Sequence, residues 1–242
     1  MKLNGKLKSA LLPLYGELLK RNPAGNSPED LCAFCAQWGS EFPEKEKEGI
    51  LFVGKATNGW LSDSTDINVL FGDSCGRIFD RDDQMRWVDT LEGNRREYNT
   101  RKSAFWRVIK GVSRRLYPED WYAHVAWSNL YKLSPYIKKG NPDSRLRGEQ
   151  LAVCKKILEK EIEILSPKHV VMFTYDWECC FLKYLNDGKA PECVATEVWD
   201  RYKTCVYRIG DTIYIVSPHP QGKEEKGHIA VIDKLLNTDY RR

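Results

Sequence analysis

The sequence predicts an α/β protein in which helices cover both faces of a mainly parallel sheet, and three observations lead to this class. Short apolar runs alternate along the chain with longer segments in which apolar residues recur at helical spacing. The short runs are rich in β-branched residues, which favour strands. Polar or glycine-containing loops follow them, as strand–helix–strand units with parallel strands require.

The N-terminal part of the chain is predicted to be helical. Leucines recur at helical spacing over residues 3–19, which indicates an amphipathic helix. The stretch Ser27-Pro28-Glu29-Asp30 has the features of a helix start, with serine at the N-cap, proline next and acids in the first turn. We expect this second helix to carry Cys32 and Cys35. Residues 1–48 are thus predicted to form a helical extension ahead of the sheet.

The strand expected at the centre of the sheet is the run Ile50-Leu51-Phe52-Val53. A continuous apolar run suits a parallel strand that is covered on both faces. So short a run is also compatible with a piece of buried helix, but its β-branched ends and the flanking Gly49 and Gly54 favour a strand. Because ligands of open α/β sheets bind at the carboxyl ends of strands, the loop over residues 54–60 is a candidate site.

Further along the chain the alternation continues. Residues 63–101 are polar, have no sustained period and are hard to place. The pattern after them predicts a helix over 102–116, a strand at 124–127, a long helix over 151–165, a strand at 169–173, a helix capped by Asp176, short strands at 196–202, 204–209 and 212–216, and a closing helix ending at Leu236.

Composition limits the class of protein without identifying it. A net charge of +4 permits contact with nucleic acid. It does not by itself indicate such contact, because a typical nucleic-acid-binding surface has a larger positive charge that is clustered on one face. The 8 Trp and 12 Tyr residues are mostly expected in the core, but rings at a binding edge would suit stacking on bases. Since no signal peptide and no membrane-spanning apolar stretch is visible, we expect reduced cysteines and a cytoplasmic protein.

Three polar loops follow predicted strands and are expected at one edge of the sheet: 54–60, 128–132 and 217–222. The amide of Asn129 can hydrogen-bond the polar edge of a planar ligand. His219, held between two prolines, can donate to a developing negative charge. An asparagine after a strand is more often a turn residue, and a Pro-His-Pro loop more often plain structure. Only the convergence of the three loops favours a site.

Lysines flank the same predicted edge. Lys132, Lys223 and Lys226 are expected to meet phosphates of a nucleic-acid backbone. The more ordinary role of such lysines is to form a solvated surface, so their value as an indication depends on the loops that they accompany.

Four segments, in order, are similar to motifs of one family. ILFVGKA at residues 50–56 is similar to a strand and the start of a motif written GEAPG. SNLYKLSP at 128–135 is similar to the beginning of TNVVKCRPPGNR, EIEILSPKHVV at 161–171 to EIxLIxPKxIV, and HPQ at 219–221 to HPS. In this order the segments resemble the uracil-DNA glycosylase superfamily, in the wording of its iron–sulfur branch.

The resemblance implies a fold and a set of roles. The fold is a single domain over residues 1–242, a three-layer α/β/α sandwich with a central, mainly parallel four-stranded sheet. The activity is cleavage of the N-glycosidic bond of uracil or another damaged base in DNA, by a monomer without a membrane partner. In that activity a base is flipped into a pocket. Asn129 would read the base and His219 would stabilise the negative charge on it as it leaves.

Further residues take roles from the same resemblance. Gly54 and Ala56 would form part of the base pocket. Phe79, in a segment that resembles GRPF, would stack on the flipped base, and Phe71 is the alternative.

The first motif departs from the family at the position of its water-activating carboxylate. Lys55 stands where the iron–sulfur branch has Glu, and Ala56 where another branch has Asp. A general base contributes a factor of about 10²–10⁴, so the loss matters. Asp73, in a segment that resembles FTGDxS, is one replacement. Lys55 itself is another, because a desolvated amine near a sugar carbon can act as a nucleophile; a phosphate contact or a surface charge is its more ordinary role.

The cysteines only partly match the iron–sulfur branch. Cys32, Cys35 and Cys154 correspond to three cluster ligands, but Leu133 stands at the fourth position. We therefore expect no iron–sulfur cluster, no other cofactor and no metal. Besides the glycosylase, two functions stay open: a non-catalytic nucleic-acid or nucleotide-binding protein on the same fold, and a small-molecule enzyme of another class.

Overall fold

The computed structural model describes residues 3–20, 30–43, 48–57, 65–71, 85–90, 99–136 and 140–240. The helices in this part of the chain are α1 (Leu3–Lys20), α2 (Ile67–Phe71), α3 (Trp87–Thr90), α4 (Ala104–Leu116), α5 (Ser144–Leu165), α6 (Cys179–Leu185) and α7 (Glu225–Leu236). The strands are β1 (Leu31–Ala33), β2 (Gln37–Trp38), β3 (Ile50–Gly54), β4 (Val125–Asn129), β5 (Leu133–Pro135), β6 (His169–Met172), β7 (Glu192–Trp199), β8 (Tyr202–Ile209) and β9 (Thr212–Val216).

The main sheet has seven strands in the order β2-β4-β3-β6-β9-β8-β7. The neighbours β4, β3, β6 and β9 are paired in parallel. An antiparallel strand, β2, lies at one edge, and the antiparallel pair β8 and β7 lies at the other. The α/β class is confirmed, and the sheet is larger and more mixed than the four-stranded one that we expected.

The side chains of β3 alternate between two cores, one on each face of the sheet. Leu51 and Val53 belong to a cluster that includes buried residues of α1 and α5, and Ile50 and Phe52 to a cluster that includes residues of α4 and α7. Fully burying an aliphatic or aromatic side chain contributes about 1.5–3 kcal/mol, so a strand buried on both faces is strongly stabilised.

None of the helices in the described ranges is long and apolar enough to cross a membrane.

The prediction that Cys32 and Cys35 lie in a helix is wrong for the residues that the structure describes. The predicted start of that helix, residues 27–29, lies outside the described residues. β1 pairs antiparallel with β5, and β2 pairs with β4. The Cys32 thiol donates a hydrogen bond to the carbonyl of Ser134 across the first pair, at 3.4 Å. Pairing with a distant segment therefore overrides a local helix-start signal.

Residues 1–48 are correspondingly not a purely helical extension. The first predicted helix is present as α1, which packs on α5 through a buried stripe that includes Leu7, Leu11 and Leu18. The residues of β2, in contrast, form an edge of the main sheet itself.

The other predicted elements are present with shifted ends. α5 begins seven residues before the predicted helix, at Ser144, where Asp143 caps it by accepting a hydrogen bond from the N–H of Leu146 at 2.8 Å. The N-cap of α6 is Glu178 rather than Asp176. β7 begins at Glu192, earlier than predicted, and β5 lies in a segment for which no element was predicted.

Candidate functional site

The carboxyl ends of three strands meet at one cavity of about 420 Å³. Gly54, the last residue of β3, is paired with Asn129, the last residue of β4. His219 follows the end of β9, which belongs to the same parallel set. These three residues line the cavity together with Lys55 and Ala56. The structure thus brings together five of the residues predicted from sequence.

Gly54 leaves room for the side chain of Asn129. A Cβ atom at Gly54 would lie 2.3 Å from Oδ1 of Asn129 and 3.4 Å from the edge of the Phe105 ring. The first distance is far below van der Waals contact, so any larger residue at this position would displace the amide. The backbone fixes the same approach, because the N–H of Leu130 donates to the carbonyl of Gly54 at 2.9 Å.

The Asn129 amide is buried without a complete set of partners. Its residue is 2% exposed, and its Nδ2 atom has no hydrogen-bond acceptor among the residues that the structure describes. Leaving a buried donor unsatisfied costs about 1–3 kcal/mol. Such a group in the wall of a cavity is explained if a ligand supplies the missing acceptor.

His219 is held as a neutral donor. Burial first, and then the positive charges of Lys55 and Lys223, lower its pKa to about 4. Its Nδ1 accepts a hydrogen bond from the backbone N–H of Gln221 at 3.3 Å. A neutral imidazole whose Nδ1 is an acceptor carries its proton on Nε2. The ring is nearly parallel to that of Phe105, with the centroids 5.9 Å apart.

The free energy of unfolding is expected to decrease as the pH is lowered from 6.5 to 4.5, because burial lowers the pKa of three histidines, including His219. The pKa values are about 4 for His169 and His219 and about 3 for His228, below the ordinary value of 6.5. The unfolded chain therefore binds more protons in this window. The resulting stability is complete above pH 6.5 and is lost as the pH falls toward 4.

Urea unfolding at pH 7.5 and pH 4.5 measures this loss, and His169→Phe serves as the test of its origin. The variant should show a smaller difference between the two pH values than the wild type. Equal unfolding free energies of the wild type at both pH values would contradict the assignment.

Lys55 lines the cavity and is only partly exposed. Burial lowers the pKa of its amine, while the neighbouring carboxylates Asp176 and Glu178 act in the opposite direction. Its Nζ atom lies 5.0 Å from the centre of the Trp177 ring, a distance typical of a cation–π contact.

Lys132 is not a surface cation, and the prediction that it contacts a nucleic-acid backbone is wrong. Its side chain is fully buried, and Nζ donates to the Glu161 carboxylate at 2.8 Å, to the hydroxyl of Ser128 at 2.7 Å and to the carbonyl of Asn129 at 2.7 Å. The lysine therefore ties the end of β4 to α5 beneath the cavity.

The other predicted residues do not line the cavity or fall outside the described chain. Phe71 is buried in the core against Tyr15, with ring centroids 5.2 Å apart, and does not line the cavity. Lys223 and Lys226 lie near His219 in sequence but are not part of the lining; the Nζ of Lys223 donates to the carbonyl of Gln221 at 3.3 Å. Asp73 and Phe79 fall outside the described residues.

Sequence reasoning missed the contribution of α4 and the residues before it. Lys102, Ser103, Phe105 and Arg107 line the cavity. Phe105 belongs to the apolar stripe of a predicted helix, and nothing in its spacing separates a ring in a pocket wall from a ring in the core.

The charge of the cavity wall is positive. Lys55, Lys102 and Arg107 line it, although Arg107 is paired with Glu225 outside the wall, and no Asp or Glu is among the described residues that line it. The wall thus combines cations, an amide, a neutral imidazole and aromatic rings, groups suited to an anionic ligand with a flat polar ring.

Comparisons of the sequence with protein-family models and with curated proteins found no match to either.

Proposed function

We propose that the protein binds DNA and holds a flipped nucleobase, uracil or another damaged base, in this cavity, as a member of the uracil-DNA glycosylase superfamily. The observation that carries the proposal is the buried Nδ2 donor of Asn129, which has no acceptor among the described residues, in the same cavity wall as the neutral imidazole of His219. An amide that lacks an acceptor and an adjacent N–H donor match the two polar sides of a pyrimidine ring.

The fold supports the same proposal. Four neighbouring strands run parallel in the middle of the sheet, and helices pack on both of its faces. These observations support the three-layer sandwich with a parallel four-stranded centre that the resemblance of the strand-end motifs implies.

The roles follow from the positions of the side chains. Asn129 binds the edge of the base, and the ring of Phe105 offers it an apolar face. Water attacks the sugar carbon as its bond to the base nitrogen breaks, and the bonding electrons leave with the nucleobase. The attacking water loses a proton to the solvent, and the nucleobase anion takes one up from the solvent after it departs. The Nε2–H of His219 stabilises the negative charge that develops on the base oxygen, as a preorganised donor does for an oxyanion.

Release of free base from oligonucleotides tests the enzyme. Single- and double-stranded substrates containing uracil or hypoxanthine are incubated with the wild type, Asn129→Ala and the control Asn237→Ala, whose asparagine caps the distant end of α7. We expect release by the wild type and the control and about tenfold or greater loss in Asn129→Ala, since a buried partner of the base is removed. No release from any lesion would exclude the glycosylase activity.

The second candidate is a non-catalytic nucleic-acid or nucleotide-binding protein on the same fold. The described cavity wall favours it, because it holds no carboxylate to activate water and has Lys55 and Ala56 at the first motif. This candidate predicts oligonucleotide binding that weakens with salt and is not followed by base release. Unchanged binding in a Lys223→Glu, Lys226→Glu double variant would contradict a backbone interface at these lysines.

A further inference from the structure

The amino end of α4 opens into the cavity. Ser103, Ala104 and Phe105 line it, and they are the N-cap and the first two residues of this 13-residue helix. The first bond of the helical ladder is donated by the N–H of Arg107 to the carbonyl of Ser103. The N–H groups that precede Arg107 in the helix have no acceptor within it, and such groups bind anions.

The charges around this helix end are suited to an anion. Lys102, directly before the N-cap, is exposed and forms no salt bridge with the described residues. The Arg107 guanidinium is engaged by the carboxylate of Glu225, with Nε donating at 2.9 Å and 3.1 Å, so Arg107 adds little free charge. Glu225 is not part of the cavity wall.

An independent observation points to a ligand beside the helix end. Asn129, which lines the same cavity, is nine-tenths or more buried, and its Nδ2 atom has no acceptor in the part of the chain that the structure describes. Its Oδ1 atom and the edge of the Phe105 ring both lie within 3.5 Å of one point next to Gly54. The amide and the first turn of α4 are therefore adjacent walls of one space.

We infer that the amino end of α4, with Lys102, is a phosphate-binding subsite, which holds a phosphate of the nucleotide whose base lies at Asn129. The base half of this inference rests on the proposed function, and the phosphate half rests on the helix end itself. The phosphate comes from a free nucleotide or from a nucleic-acid backbone, and the chemistry that recognises it is the same.

Ala104→Pro tests the subsite with little disturbance of the helix. Proline is well tolerated at the first helical position, where it removes one N–H. The backbone of Ser103, with φ −83° and ψ 116°, already has the extended conformation that a residue before proline adopts. Ser144→Pro, at the first position of α5 and outside the cavity wall, is the matched control.

Calorimetric titration with deoxyuridine, its 5′-monophosphate, deoxyribose 5-phosphate and a short single-stranded oligonucleotide measures the contribution of the phosphate. In the wild type and in Ser144→Pro the monophosphate should bind about tenfold tighter than the nucleoside, as for hydrogen bonds to a charged group. Ala104→Pro, and the second variant Lys102→Glu, should remove most of that gain and leave nucleoside affinity unchanged. If these variants also bind the oligonucleotide more weakly, the subsite holds a backbone phosphate. If they lose affinity for the monophosphate alone, it holds the phosphate of a free nucleotide.

Equal affinity of the wild type for nucleoside and monophosphate would overturn the subsite while leaving the base site in place. Equal weakening by Ala104→Pro and Ser144→Pro would also overturn it. If deoxyribose 5-phosphate binds in an Ala104-dependent way and deoxyuridine does not bind, the subsite stands and the proposed base recognition fails.

Discussion

The Lys132→Met variant is expected to lose about 3–5 kcal/mol of unfolding free energy, the usual cost of removing one partner from a buried ion pair. Both Lys132 and Glu161 have fully buried side chains. Without the lysine, the carboxylate keeps the hydroxyl of Ser128 as a donor, at 2.6 Å, and its other oxygen already lacks a partner among the described residues. Urea denaturation at pH 7.5 measures the difference.

Two controls separate burial from charge pairing. Lys160 forms a salt bridge with Glu163 on the surface of the same helix that carries Glu161, and Lys160→Met should leave the unfolding free energy nearly unchanged, because water screens an exposed pair. Replacing both members of the buried pair, as in Lys132→Met with Glu161→Leu, should recover much of the loss, because no unpaired charge is left in the core. A Lys132→Met variant as stable as Lys160→Met would contradict the buried pair.

The His219→Ala variant is expected to release base about 10²–10³ times more slowly than the wild type, which is the usual effect of removing one preorganised donor to a developing anion. Since burial and the nearby lysines hold the pKa of His219 at about 4, the imidazole is neutral from pH 5.5 to 8. Single-turnover rates of the wild type across that range should show no inflection caused by protonation of this histidine.

His124→Ala removes a histidine outside the cavity wall and is the control. It should retain the wild-type rate. A wild-type profile that rises or falls around pH 6.5 in a manner abolished by His219→Ala would mean that the imidazole works by gaining or losing a proton. Equal rates of His219→Ala and the wild type would remove His219 from the chemistry.

The parts of the fold that the sequence predicted are those in which local pattern and tertiary environment agree. The apolar run that forms β3 is buried on both faces, so its composition already reflects its surroundings. The convergence of Gly54, Asn129 and His219 followed from one rule, that parallel strands end at the same edge. The segment of β1 and β2 carried a strong helix-start signal, and only its pairing with distant strands makes it extended.

Two features of the site could not be read from the chain because they depend on what lies next to a side chain. Lys132 looks like a surface lysine in any one-dimensional pattern, and its role is set by Glu161, which belongs to α5. Phe105 has the spacing of a core residue, and it reaches the cavity because α4 begins at the edge where the strands end. Burial and partnership of this kind are properties of the assembled layers.

The order of the strands also has a consequence for the folding of the chain. β7, β8 and β9 are consecutive antiparallel neighbours, so they can pair through local hairpins, which form quickly. Gly54, Asn129 and His219 come together only after the long crossovers between β3, β4 and β9 have closed, and non-local pairing of this kind is slow. We therefore expect the cavity to form late in refolding. A ligand that binds it acts on the completed sheet alone and shifts the population toward the fully folded state in proportion to its concentration over its Kd.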